Sequence, residues 1–170
     1  DRAEALRLGD RLAVLIGGRI RQVGAPEEVF ATPVDEEVAA FVGIETIAPG
    51  RVRSLERGLA VVDVAGEAVE AAVTAQPGSD VLVCLRPEDV VLSPAQDHTG
   101  PTSARNHLPA VVRRILPAGP HVRVELDAGF SIVALITKQS LEELSLGPGS
   151  RVIASFKATA VHLIPHRPRP

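Results

Sequence analysis

A mainly β protein, with two small five-stranded barrels in tandem behind a short α/β segment, is what this 170-residue sequence predicts. Three observations carry the prediction. An eighteen-residue stretch, Pro77 to Pro94, recurs as Pro148 to Pro165 with seven identical positions, so the chain repeats a structural unit. Apolar and polar residues alternate through Val122-Arg-Val-Glu-Leu-Asp127, the period-two pattern of a strand with one buried face. Aromatic residues are scarce, with four Phe and no Trp or Tyr, while 14 Gly and 14 Pro punctuate Val-rich runs. Narrow barrels joined by tight turns suit that composition.

The first 43 residues mix signals. A helical stretch around Ala3, Ala5 and Leu6 leads into Leu12-Ala-Val-Leu-Ile16. Then come Gly17-Gly18 and Arg19-Ile-Arg-Gln-Val23, a hairpin by its turn chemistry. Pro26 opens a short helix whose next residues, Glu27 and Glu28, suit its positive end. A second helix, from Asp35 to Val42, stops at Gly43, a left-handed cap. Asp1 opens within a helical pattern and without an initiator Met, as expected of a fragment of a longer polypeptide.

The repeat follows. Ala60-Val-Val-Asp-Val-Ala-Gly66 parallels Val122 to Gly129, so each copy offers about five strands. The expected boundaries are 44–97 and 98–170, with the turn-rich Asp97-His-Thr-Gly-Pro-Thr102 at their junction. In the second copy Val122, Val124 and Leu126 face inward, continued by Ile132, Ala134 and Ile136. Arg123, Glu125 and Asp127 face water. The architecture is that of oligomer-binding-fold-like barrels.

Charge narrows the function. A formal net charge of −3 provides no broad basic field, and the few Phe leave no stacking platform, which argues against nucleic acid. The single Cys84 excludes an intrachain disulfide framework or a cysteine zinc site and reads as a buried, inert thiol. His98, His107, His121, His162 and His166 lack metal-ligand spacing and read as surface residues. Glu88 and Asp89 follow Pro87 in a turn with nothing to pair them as acid and base. No run approaches a membrane span, and no signal peptide is seen, so a soluble chain in a reducing cytoplasm is expected.

Asp1-Arg-Ala-Glu-Ala5, Gly9 to Leu15 and Gly18-Arg-Ile-Arg-Gln-Val-Gly-Ala-Pro-Glu-Glu-Val-Phe30 resemble the end of an ABC-transporter ATPase domain. Ala39-Ala-Phe-Val-Gly43 and Leu85-Arg-Pro-Glu-Asp89 resemble that family's passage into its C-terminal regulatory region. The second copy resembles molybdate-binding barrel modules, through Ser103-Ala-Arg-Asn106, Thr137-Lys-Gln-Ser140 and Phe156-Lys-Ala158. The resemblance implies a molybdate or tungstate site carried by Ser103, Arg105, Asn106, Thr137, Ser140 and Lys157. It further implies homodimerisation, a membrane permease as partner of the parent, and a place on the inner face of the cell membrane. The chain lacks a phosphate-binding loop and an ABC signature, so ATP and magnesium belong to the implied parent and no cofactor or catalytic residue is expected here.

The residues suit the chemistry. A tetrahedral dianion offers four acceptor oxygens and needs donors: hydroxyls from Ser103, Thr137 and Ser140, charge from Arg105 and Lys157. The chain has sixteen Arg but two Lys, both inside these segments. Structural alternatives stand beside each. Ser140-Leu-Glu-Glu143 reads as a capping box that starts the helix of Leu141 and Leu144. Arg105 and Lys157 read equally as solvated charges, Lys138 more so. The first copy keeps only Arg86, at the place of Lys157. A rival reading is a non-binding module for dimerisation or regulator docking in an importer ATPase for sugar, sulfate, iron or polyamine.

Overall fold

A computed structural model of the chain describes residues 10–95 and 102–166. The helical stretch around Ala3 to Leu6 and most of the Asp97–Thr102 junction lie outside the described residues, as does His98. The described residues form two compact units that meet at Ile44/Glu45.

The first unit contains the expected hairpin, β1 (Leu12–Ile16) and β2 (Arg19–Gly24), joined through Gly17 and Gly18 at φ +56° and +75°. Two successive positive φ values define the tight turn that twisted antiparallel strands prefer, and glycine reaches them without a Cβ clash. Two short helices follow. In α1 (Pro26–Ala31), Pro stands at the first helical position, where its missing N–H costs nothing. In α2 (Glu36–Phe41), the Asp35 carboxylate accepts from the Val38 amide at 2.9 Å, capping the helix, and Val38 and Ala39 are buried.

The second unit is all strand apart from one helix and two 3-10 turns. Its first copy supplies β3 (Thr46–Glu56), β4 (Leu59–Val64), β5 (Glu67–Ala71), β6 (Asp80–Leu85) and β7 (Val91–Pro94). The second supplies β8 (Asn106–Ala118), β9 (His121–Asp127), β10 (Ser131–Thr137), α3 (Lys138–Glu143), β11 (Arg151–Phe156) and β12 (His162–Pro165). Val122, Val124 and Leu126 are buried in β9 as expected, with Arg123, Glu125 and Asp127 half-buried between them; in β10 Ile132 and Ala134 are buried, but so is Val133, and Ile136 is only half-buried.

The sheets do not divide where the repeat divides. One runs β10-β9-β8-β11-β7 and the other β12-β6-β3-β4-β5. Each copy therefore gives its last strand to the other's sheet: Leu92 of β7 pairs with Ala154, and Leu163 of β12 pairs with Val83. A cut at 97/98 separates both from their sheets, so the expected 44–97 and 98–170 units are not separate structural bodies. Both lie within one compact unit sharing a single core, in which Val62, Val83 and Leu92 join Val124, Leu126 and Phe156. The physical cause is geometric. A 3-10 turn (Pro87–Asp89, Ala158–Ala160) breaks each chain just before its last strand. The turn at Pro87–Asp89 packs on β10, and that at Ala158–Ala160 on β5.

Long strands are bent to serve two neighbours. β8 pairs with β11 along its first half and with β9 along its second, and its register shifts between Val112 and Arg114. β3 does the same between Val52 and Ser54. Such an extra residue kinks a strand and increases its twist. The bulge residues, Arg113 and Arg53, pair with Asp127 and Asp63 respectively, giving the two copies matching ion pairs. The edge of β10 lies against the Pro87–Asp89 turn and beside β7 of its own chain.

Candidate functional site

The start of β8 and the end of β11 are neighbours, with Asn106 opposite Phe156. One step further out stand Arg105 and Lys157. The register thus brings the stretch Arg105-Asn106 next to the stretch Phe156-Lys157, far from it in sequence, at one rim, and Ser103 lies two residues before Arg105. Ser103, Arg105 and Lys157 are exposed and Asn106 is buried.

Asn106 faces the other copy. Its Oδ1 accepts from the Glu70 amide at 2.7 Å and its Nδ2 donates to the Glu70 carbonyl at 2.9 Å. It completes the edge of β5 as a strand neighbour would, satisfying backbone groups that are costly to leave unpaired. At 2% exposure it is one of two buried polar residues among those described. The other, Thr46 at 1%, occupies the matching place in the first copy, where its Oγ1 accepts from the Val133 amide at 3.0 Å. Asn106 therefore serves as a structural clamp between the two copies, through its Oδ1 and one of its two Nδ2 hydrogens.

Arg105 is engaged as well. Its Nε and Nη2 donate to Glu70 Oε2 at 2.9 Å and Oε1 at 3.2 Å, a two-pronged pair. The Glu70 hydrogen bonds, followed by its charge, raise the guanidinium above its ordinary pKa. Lys157 has no ion pair or side-chain hydrogen bond among the described residues and caps the 3-10 turn with extended backbone. His107 steadies the loop between them: its Nε2 lies 2.9 Å from the Ala104 carbonyl and its Nδ1 2.9 Å from Ser155 Oγ. The first contact needs an Nε2–H donor, which leaves Nδ1 to accept from the serine hydroxyl in the neutral ring. His107 is thus half-buried and bonded, in contrast to the surface residue expected.

Thr137 and Ser140 are not brought to this rim by the strand register. Thr137 lies opposite His121, which lies opposite Ala118, the far end of the 13-residue β8. The two hydroxyls bond each other, Thr137 Oγ1 to Ser140 Oγ at 2.8 Å, and Thr137 Oγ1 accepts from the Ser140 amide at 3.0 Å. Thr137, not Ser140, is the helix cap. The expected Ser140-to-Glu143 capping box does not form, because the helix begins at Lys138, which makes Ser140 its third residue and Thr137 the cap whose hydroxyl accepts from the Ser140 amide.

Sequence reasoning passed over Glu70 and Thr74. Glu70 carries no motif, and only its alignment on β5 against Asn106 reveals it. Thr74 holds in the first copy the place of Thr137 in the second, since Val69 and Ile132 face equivalent residues, Val62 and Leu126. It stands two residues after Ala72, whose amide donates to the Ala158 carbonyl at 2.9 Å in the turn headed by Lys157. Among the described residues there is no cluster of three or more His, Cys, Asp or Glu able to hold a metal, and no helix long and apolar enough to cross a membrane.

Comparison with known proteins gives one match confined to the second copy and others that run over most of the chain. Residues 102–163 match the TOBE domain family. The molybdate/tungstate import ATP-binding protein WtpC of Pyrococcus abyssi is 40% identical over 161 residues, 93% of this chain and 43% of that protein. The sulfate/thiosulfate import ATP-binding protein CysA of Nitrosomonas europaea is 32% identical over 172 residues, 98% of this chain and 44% of that protein. This chain thus spans less than half the length of these relatives. Among solved structures, the cytoplasmic molybdate-binding protein ModG, with molybdate bound, superimposes with a TM-score of 0.63 at 28% identity, over 72% of this chain and 97% of that one.

Proposed function

We propose, from the match of residues 102–163 to the TOBE domain family and the likeness to molybdate/tungstate import ATP-binding proteins, that the chain binds a tetrahedral oxyanion, molybdate or tungstate, and that binding regulates an importer's ATPase. What supports the reading is the register that sets Asn106 opposite Phe156, so that Arg105 and Lys157 follow at the same end of the two strands, with Ser103 two residues before Arg105. Hydroxyl and cationic donors are what a desolvated dianion requires. The likeness to the molybdate-bound ModG structure supports the same chemistry. Thr137 and Ser140, at the N-terminal end of α3, offer their hydroxyls in a separate place from this rim.

Regulation follows as coupling between two sites: the anion favours one arrangement of the parent's subunits, and that arrangement changes ATP turnover. The permease partner, the homodimer and the position at the inner face of the membrane belong to the longer protein. Catalysis, with ATP and magnesium, is assigned to regions outside this stretch.

A second reading has an observation of its own. Arg105 is already paired with Glu70, as in a structural clasp between the two copies. A non-binding docking or dimerisation module would show that clasp and nothing more. Native mass spectrometry and calorimetric titration of the chain with molybdate, tungstate, sulfate and phosphate separate the two. Saturable binding of molybdate or tungstate in preference to phosphate is expected. No uptake of any of the four anions leaves the docking module as the function.

A further inference from the structure

We propose that Glu70 is a built-in competitor for the oxyanion: its carboxylate occupies the Arg105 fork across the junction of the two copies and raises the anion concentration at which the rim fills. The proposal rests on the oxyanion reading and names what tunes it.

Three observations point the same way. First, the pair is locked from behind. Asn106, the residue next to Arg105, holds both the amide and the carbonyl of Glu70, at 2.7 and 2.9 Å. The carboxylate is therefore presented to the guanidinium by a fixed backbone, and its side chain is only 26% exposed. Second, both carboxylate oxygens are used, on Nε and Nη2. Beside Lys157, Arg105 and Glu70 leave the rim one net positive charge to set against a dianion's two negative ones. Third, the fold does not need this pair. At the matching junction Thr46 stands for Asn106 and Val133 for Glu70. That contact closes through the Thr46–Val133 hydrogen bond alone, and Glu45, in the place of Arg105, pairs instead with Arg123. A carboxylate at position 70 is thus an addition to the common architecture, placed on a cation of the site.

The guanidinium has five N–H donors, of which Glu70 takes two. Glu70 could therefore hold Arg105 in place for an anion that uses the remaining edge. Repulsion outweighs that benefit, because a dianion at Arg105 meets the carboxylate's full charge within hydrogen-bonding range of the same group. The two roles predict opposite signs.

The test is calorimetric titration of sodium molybdate and sodium tungstate into the chain and its E70Q and E70V variants, at low salt and at about 0.5 M salt. Val at position 70 has a precedent in Val133, and circular dichroism with a urea unfolding curve verifies that each variant folds. Both variants should bind roughly three- to tenfold more tightly than wild type at low salt. The gain should shrink at high salt, where charge repulsion is screened, a change that a purely structural role does not produce. Unchanged or weaker binding by both folded variants, with wild type binding normally, overturns the competitor role and makes Glu70 a positioning residue or a bystander. If neither wild type nor variants take up molybdate or tungstate, the oxyanion reading itself falls and this proposal with it.

Discussion

Asn106 joins two strands that sequence order keeps apart. Its side chain supplies the donor and the acceptor that the Glu70 backbone lacks at the edge of β5. Replacing it with Ala leaves both groups without their partner in a buried place, at about 1–3 kcal/mol for each. N106A should therefore lower the urea unfolding midpoint well beyond a surface substitution, by about 2–4 kcal/mol in unfolding free energy. An unchanged midpoint contradicts the clamp. Lys157 is the opposite case, exposed and unpaired among the described residues. K157M keeps the length and the apolar stem of the side chain and deletes its charge. It should weaken molybdate binding roughly tenfold or more, with little effect on the unfolding midpoint. Arg151, exposed at the start of the same strand, is the control. Equal losses in K157M and R151M place the site elsewhere.

At the level of elements, two hairpins carry the same device. In each, an arginine at the bulge donates to an aspartate on the next strand, Arg53 to Asp63 and Arg113 to Asp127. The same aspartates accept from the Gly66 and Gly129 amides of the following turns, at 2.8 and 3.0 Å. The arginine hydrogen bond first, and then the glycine amide, hold both carboxyls below their ordinary pKa. A group with a lowered folded pKa stabilises the fold above its unfolded value, about 4 for aspartate, and that contribution is lost as pH falls through the folded value. The urea midpoint should accordingly drop on acidification below about pH 4. D63N/D127N should flatten that limb while losing stability at neutral pH. An acid limb as steep as wild type's in the double variant assigns the titration to other carboxylates. Both charges are solvent-facing, so the effect is modest and falls with salt.

For the second unit as a whole, exchange of the final strands makes the two copies one body. Residues 102–166 alone lack β7, leaving the far edge of β11 without its partner, and their own β12 has no β6 to join. The repeat offers a remedy, since Val161, Leu163 and Pro165 of β12 repeat Val90, Leu92 and Pro94 of the β7 segment. Exchange of an identical element between molecules is a low-cost route to a dimer. A fragment of residues 102–166 should therefore be dimeric or unfolded in light scattering and circular dichroism, never a folded monomer. A well-folded monomer at tens of micromolar, roughly the range where such dimers persist, refutes the interdependence.

The sequence by itself determined the strands, the tight turns and the doubling. Alternation marks a buried face whatever lies opposite it, and turn residues act over a few neighbours. Ser103, Arg105 and Lys157 were named through the resemblance of their segments to molybdate-binding modules; by residue type alone the two cations read equally as solvated charges. Only the tertiary structure decided which sheet receives β7 and β12, since two copies of one pattern offer equivalent edges and local periodicity cannot choose between them. The same limit hid Glu70: a lone acidic residue on an alternating strand reads as solvated until the other copy places Arg105 and Asn106 against it. Thr137 and Ser140 were legible as a pair but not in position, because the register of β8, β9 and β10 sends them to the other end of the sheet.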